Sequence, residues 1–236
     1  MKYRVSYVFL GILVVSLSSC GKREVPGNGT VETQARTIQS FKAVKLSGDF
    51  NVQLQGGNSY QLNVTTDSNL LPFINSTVDN GTLFIDNKGN YQLSPTKGIQ
   101  VAITAPDFSK IEASGAINLT ANQISATNLE LDVSGAVKAT LSGVATNLVI
   151  NGSGACKIDA KNLVAQNVTV RSSGACGIMV NANKSLDLKT SGASKVVYYG
   201  SAEVEQKTSG VSSVTSQATP APSTSQPTTK SAGATS

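Results

Sequence analysis

A tripeptide that returns at a near-constant interval constrains this chain more than any other feature. Ser114-Gly115-Ala116, Ser134-Gly135-Ala136, Ser153-Gly154-Ala155, Ser173-Gly174-Ala175, Ser191-Gly192-Ala193 and Ser209-Gly210-Val211 follow one another, with serine steps of 20, 19, 20, 18 and 18 residues. A fixed period near twenty means one structural unit stacked on copies of itself. Aligned on the serine, four columns are apolar. Five before stand Leu129, Leu148, Val168, Leu186 and Val204, and three before stand Ile111, Leu131, Ile150, Val170 and Leu188. Five after stand Leu119, Ala139, Ile158, Ile178, Val196 and Val214, and ten after stand Ile124, Val144 and Leu163. Polar positions alternate with them, which is the period of a strand with one buried face. The glycine permits a positive φ at a corner, where serine and alanine are small enough to stack. Asn128, Asn147 and Asn167, each six before its serine, predict an asparagine ladder at a second corner. The expected fold is all-β: a right-handed parallel β-helix (β-solenoid) with about 18–20 residues per coil, preceded by an irregular β-rich half or cap. A leucine-rich horseshoe is set aside, because its longer leucine signature and helical side are missing.

The chain divides by composition. Lys2 and Arg4, the apolar stretch Val8–Val15 and the lipobox Leu17-Ser18-Ser19-Cys20 mark residues 1–19 as a lipoprotein signal peptide. Cleavage would leave Cys20 as a lipidated N-terminus, an anchor held by buried methylenes. Residues 20–37 are polar with Gly and Pro and read as a tether. Residues 38–108 are the β-rich N-terminal half, a separate small domain or a cap. Within it Gly56-Gly57-Asn58 reads as a turn, Leu70–Ile74 as a short helical or irregular insertion, and Asp79-Asn80-Gly81 as a hairpin. Residues 109–215 hold the repeats. Residues 216–236 are Ser, Thr, Pro, Ala, Gln and Gly with one Lys, too poor in apolar bulk to offset their ordering entropy.

Several activities are excluded or weakened by composition. The chain has no His, which removes Ser–His catalysis and the commonest metal ligand. The formal charge of +5 drops by two when Lys2 and Arg4 leave with the leader, and what remains is too dispersed to imply nucleic acid. No cofactor, metal or catalytic residue is expected. An outward column two before the serine runs Glu112, Asp132, Asn151, Arg171, Lys189, Lys207, with Glu130 beside its acidic end. Glu112, Glu130 and Asp132 form an acidic patch that could host a glycosidase pair or a Ca²⁺, weighed against a solvated face of mixed charge. Lys138, Lys157 and Lys195, four after their serines, form a sparse basic stripe, a candidate contact for anionic glycan or headgroups. Tyr198 and Tyr199 are either a sugar platform or a cover for the last coil's core. Cys156 and Cys176 occupy one inward column on neighbouring coils. They read as two buried thiols first and as a disulfide second, since in-register side chains point the same way.

Phe41–Phe50, Leu70-Leu71-Pro72-Phe73, Asn80-Gly81-Thr82-Leu83, the strand ending Ala105-Pro106-Asp107-Phe108 and the Ser-Gly-Ala series together resemble the "autotransporter adhesin, head GIN domain" family over roughly residues 38–200. The resemblance implies a β-helical fold and a bacterial envelope protein, often a lipoprotein, and carries over no catalytic residue. No barrel-forming C-terminal region of the autotransporter kind is expected. The reading from sequence is therefore a lipid-anchored protein of the bacterial envelope, at the outer membrane with its face left open. It would act as a non-catalytic surface binding or adhesion module. Its partners would be the membrane, through the lipid, and a glycan or a host or cell-surface protein. A periplasmic scaffold and a polysaccharide-active β-helix enzyme are the alternatives.

Overall fold

The computed structural model describes residues 23–89 and 91–217. The described chain is all-β and holds no α-helix, hence no helix able to cross a membrane. Its strands are β1 (Arg23–Pro26), β2 (Val31–Arg36), β3 (Ala43–Gly56), β4 (Gln61–Asp67), β5 (Ile74–Asp79), β6 (Thr82–Asn87), β7 (Tyr91–Ser94) and β8 (Gln100–Ala105), then the long ribbon β9 (Lys110–Gly192), β10 (Lys195–Tyr199), β11 (Glu203–Thr208) and β12 (Ser213–Ser216). The Leu-Leu-Pro-Phe stretch forms a 3-10 turn, Leu71–Phe73, with Pro72 in its first turn.

β3 organises the topology. One edge pairs in parallel with the start of β9, from Ala43 on Lys110 to Gln55 on Asn122, so that Ser47-Gly48 lies on Ser114-Gly115. The other edge pairs in parallel with β6 and β8. The chain thus lays down β3 first, then the layer β6–β8 on one side of it, and crosses over to continue with β9 on the other. Ser47-Gly48-Asp49 is a further member of the corner series, hidden from a reading by period because it stands 67 residues ahead of Ser114.

Along β9 and beyond, the corners stack in sequence. A side chain at Gly135 would meet the Gly115 carbonyl, one at Gly154 the Gly135 carbonyl, and so on through Gly174, Gly192 and Gly210. Cys156 and Cys176 have Cα atoms 4.6 Å apart, close to the spacing of neighbouring strands. β10 and β11 pair in parallel with the end of β9, and β12 with β10. The predicted ladder forms: Asn147 Nδ2 donates to Asn128 Oδ1 at 2.8 Å, Asn167 Nδ2 to Asn147 Oδ1 at 2.9 Å, and Ser185 Oγ ends the row on Asn167 Oδ1.

Most predicted inner columns face inward. Ile111, Leu131, Ile150, Val170 and Leu188 are completely buried. Val144 and Val204 are exceptions and are corrected: Val144 is 55% exposed, and Val204, on the outermost strand β11, is 38% exposed. Gly143, with a positive φ, takes the place against Ile124 and shifts the register by one residue.

The tether assignment for residues 20–37 is also corrected. Residues 23–26 are β1, parallel to β7, and residues 31–36 are β2, antiparallel to β4. β2 is polar and almost wholly exposed, so no hydrophobic pattern announces it. It is fixed by its backbone ladder and by Arg36, whose guanidinium donates to the carbonyls of Ile74 and Leu71 and to Ser76 Oγ. The hairpin is as expected: β5 pairs antiparallel with β6 through Asn80 and Gly81, both at positive φ. The leader, Cys20 and the tail beyond Gln217 lie outside the described residues.

Cys156 and Cys176 are joined in a disulfide, which corrects the preference for two free thiols. Gly152 makes room for it. A Cβ there would stand 3.0 and 3.3 Å from the two sulfurs, whereas the preceding member of its column is Val133.

Candidate functional site

A groove of about 610 Å³ runs along the stack beside the Ser-Gly corners. One wall is the outward column Lys45, Glu112, Asp132, Asn151, Arg171 and Lys189. Serines 114, 134, 153 and 173 form the other. Between them Ala113, Val133, Gly152 and Ser172 turn inward and make the floor. Lys45 was missed as a member of the wall, though it stands two before Ser47 as Glu112 stands two before Ser114. The serine hydroxyls are staples between layers: Ser114 Oγ donates to Leu46 O and Ser153 Oγ to Val133 O, both at 3.3 Å.

The structure brings Glu112, Glu130 and Asp132 together, as expected, but around Lys110. Its Nζ lies 2.8 Å from Asp132, 3.2 Å from Glu112 and 3.6 Å from Glu130. Lys45 adds a second cation 3.1 Å from Glu112. Asn151 Nδ2 donates to Asp132 at 2.6 Å and to Glu130 at 3.2 Å. The hydrogen bond from Lys45, ahead of the one from Lys110 and against partial burial, holds Glu112 below the usual carboxylate range. Burial pushes Asp132 up, yet hydrogen bonds from Lys110 and Asn151 outweigh it and hold that carboxyl low as well. Lys110 is raised by its bond to Asp132, opposed by burial and helped by Glu112. A glycosidase needs one carboxyl held protonated and another free to attack or to activate water. Here Glu112 and Asp132 are held ionised and all three carboxylates are engaged by the same lysine. Among the described residues no cluster of three or more His, Cys, Asp or Glu side chains is arranged to hold a metal ion.

The groove changes sign along its length. Past Asn151 come Arg171, exposed and without an acidic partner among the described residues, and Lys189, whose Nζ is 3.2 Å from Asp187. Lys138, Lys157 and Lys195 are exposed on another face, with Gly177 interrupting the row between Lys157 and Lys195. Tyr199 is buried and its hydroxyl donates to Gln217 Oε1 at 2.8 Å, while Tyr198 packs half-buried against the core. The structure therefore packs Tyr198 on the core and buries Tyr199, bonded to Gln217.

Residues 40–202 match the family described as "Putative auto-transporter adhesin, head GIN domain". The chain belongs to this family. Two solved structures share its fold. One is a Bacteroides fragilis protein described as a "putative adhesin", 19% identical, with a TM-score of 0.68 over 82% of this chain and 100% of that one. The other is a Parabacteroides distasonis protein described as a "putative lipid binding protein", 19% identical, with a TM-score of 0.55 over 83% of this chain and 100% of that one. At such identity the likeness speaks for the all-β fold, not for a ligand. No curated protein matches the sequence.

Proposed function

We propose that the chain is a lipid-anchored protein of the bacterial envelope whose stacked coils, a parallel β-solenoid of about 18–20 residues per turn, act as a non-catalytic binding or adhesion module. The observation that carries this reading is the long groove with its neutralised acidic end. From Lys45 to Asn151 its side chains are held by one another across four layers, so it offers a rigid relief rather than a pair of reactive groups. A surface of this kind recognises an extended partner by shape and by spaced hydrogen bonds, and a glycan or a cell-surface protein fits it. The family name points the same way. Lipid at Cys20, after removal of residues 1–19, would display the module on a membrane.

The test is protease shaving of intact cells that carry an epitope on the C-terminal tail, with a periplasmic marker as control. Loss of the epitope with the marker intact is the expected result. Protection until the envelope is broken overturns the adhesion reading and favours a periplasmic scaffold. Turnover of a polysaccharide by the purified protein, abolished by Asp132→Asn, would overturn the non-catalytic reading.

A further inference from the structure

Only Gly21 and Lys22 separate Cys20 from Arg23, the first residue of β1. A chain spans at most about 3.6 Å per residue, so the Cys20 backbone stands within roughly 11 Å of Arg23. A lipid at Cys20 would therefore hold the fold against its leaflet with no lead between them. We propose that the N-terminal end of the stack rests on the membrane surface through a patch formed by Arg23, Phe73, Lys88 and Tyr91, with the stack axis pointing away from the bilayer. This rests on the lipid anchoring proposed above.

The strand register places these four residues together. β1 runs parallel to β7 with Arg23 beside Tyr91, so the chain from Cys20 arrives at the Tyr91 end of the strand pair. The Tyr91 ring meets Phe73 edge-on, centroids 4.7 Å apart, and both residues remain half-buried. The Lys88 backbone N–H donates to Phe73 O at 2.7 Å, which sets this exposed lysine on the same rim. Arg23 is exposed, and neither cation has an acidic partner within salt-bridge reach among the described residues. Glu24, the nearest carboxylate in sequence, is turned to Ser94 Oγ. Half-buried aromatic rings settle at headgroup level, and cations beside them meet anionic headgroups.

The far end is unlike it. β11 is exposed throughout and carries Glu203, which an anionic leaflet repels, and Glu205, which is paired with Lys207 at 3.2 Å. The layer β6–β8, to which β1 is joined through β7, is separated from β9 by β3. Seven layer spacings then put β11 and β12 roughly 34 Å from that end. The groove beside the corners would stand perpendicular to the membrane, open along its length.

The test uses the full, lipidated protein, with the Cys156–Cys176 bond intact and the Cys20 sulfur blocked by its lipid. A fluorophore is placed on Lys88→Cys or on Val211→Cys. Each protein is reconstituted in phosphatidylcholine–phosphatidylglycerol vesicles whose headgroups carry a nitroxide quencher. The expected result is loss of emission at position 88 and retained emission at position 211. Retained emission at 88 in a protein whose intact mass includes the lipid overturns the docking and leaves the anchor standing. Emission lost equally at both positions overturns the upright orientation. A mass without lipid overturns the anchor, and the docking with it.

Discussion

The two ends of the stack are closed by different means. At the N-terminal end strands are laid across the opening: β5 pairs antiparallel with β6, β4 with β8, and β2 with β4. Phe41 and Phe108 are buried there with centroids 6.4 Å apart, and the exposed Tyr60 packs on Phe41 at 5.3 Å. At the other end no strand among the described residues pairs with the outer edge of β11 or β12. There the inner columns change chemistry. The position three before the serine runs Ile111, Leu131, Ile150, Val170, Leu188 and then Gln206. The position one before runs Ala113, Val133, Gly152, Ser172, Thr190 and Thr208. Ser172 and Ser194 are already buried, satisfied by each other at 3.0 Å. One end is closed by covering and the other by composition, as terminal repeats with a polar face require.

The comparison breaks most visibly at buried bulk. Phe41→Ala removes a ring that is 2% exposed beneath the cover, and such truncations cost about 3–5 kcal/mol. Val204→Ala occupies an inward column too, but at the uncovered end it is 38% exposed and should cost about 0.5 kcal/mol. Urea unfolding of the two variants measures the difference. Equal losses would mean that the C-terminal layer is covered in solution by something else.

A smaller effect probes the corners. A side chain at Gly154 would lie 2.8 Å from Gly135 O, and one at Gly210 would lie 2.7 Å from Gly192 O, with φ of +82° and +77°. The local clash is the same, but Gly154 is held between layers and Gly210 ends the stack. Gly154→Val should cost about 2–4 kcal/mol from strain and overpacking. Gly210→Val should fray only the last layer, leaving the main unfolding transition in place. If both variants lowered the midpoint alike, the last layer would be as firmly held as the interior.

Legibility in the sequence followed the same division. The repeats declare themselves through period, so the inner columns and the asparagine ladder could be placed by counting. Counting failed where the coil shortens from 20 residues to 19: Ser142 lies on Asn122 but Gly143 lies on Ile124, which displaces Val144 outward. It failed again where the chain order departs from the layer order, which hid Ser47-Gly48-Asp49 and with it Lys45 of the groove wall. β2 escaped because a strand held by backbone bonds and by Arg36 needs no apolar face. The acidic patch was legible as a meeting of carboxylates. That one lysine bridges all three depends on side-chain placement, which column positions do not specify. The disulfide depended on Gly152, a residue outside the cysteine column.

The smallest expected effect is confined to the covered end and is set by one carboxylate. Asp67 closes β4, is fully buried, and accepts from the Thr96 backbone N–H and hydroxyl, both at 2.8 Å, and from Gly29 N at 2.7 Å. Burial pushes this carboxyl up, but the hydrogen bonds from Thr96 and Gly29 prevail and hold it below its ordinary value. A depressed folded-state value means that the ionised form stabilises the fold. That contribution is fully present above the unfolded value of about 3.9 and is lost as pH falls through the lower folded one. Acid should therefore loosen the segments joined through Asp67, residues 27–30 and 94–98, before it disturbs the repeats. Hydrogen exchange read at Gly29 and Thr96 should accelerate below about pH 4 relative to the amides of Ile150 and Val170, after correction for intrinsic rates. Asp67→Asn should show faster exchange at these sites already at neutral pH, with no further acid step there. Uniform acceleration along the chain would show that the cover and the repeats open as one unit, and that the two ends differ in construction but not in local stability.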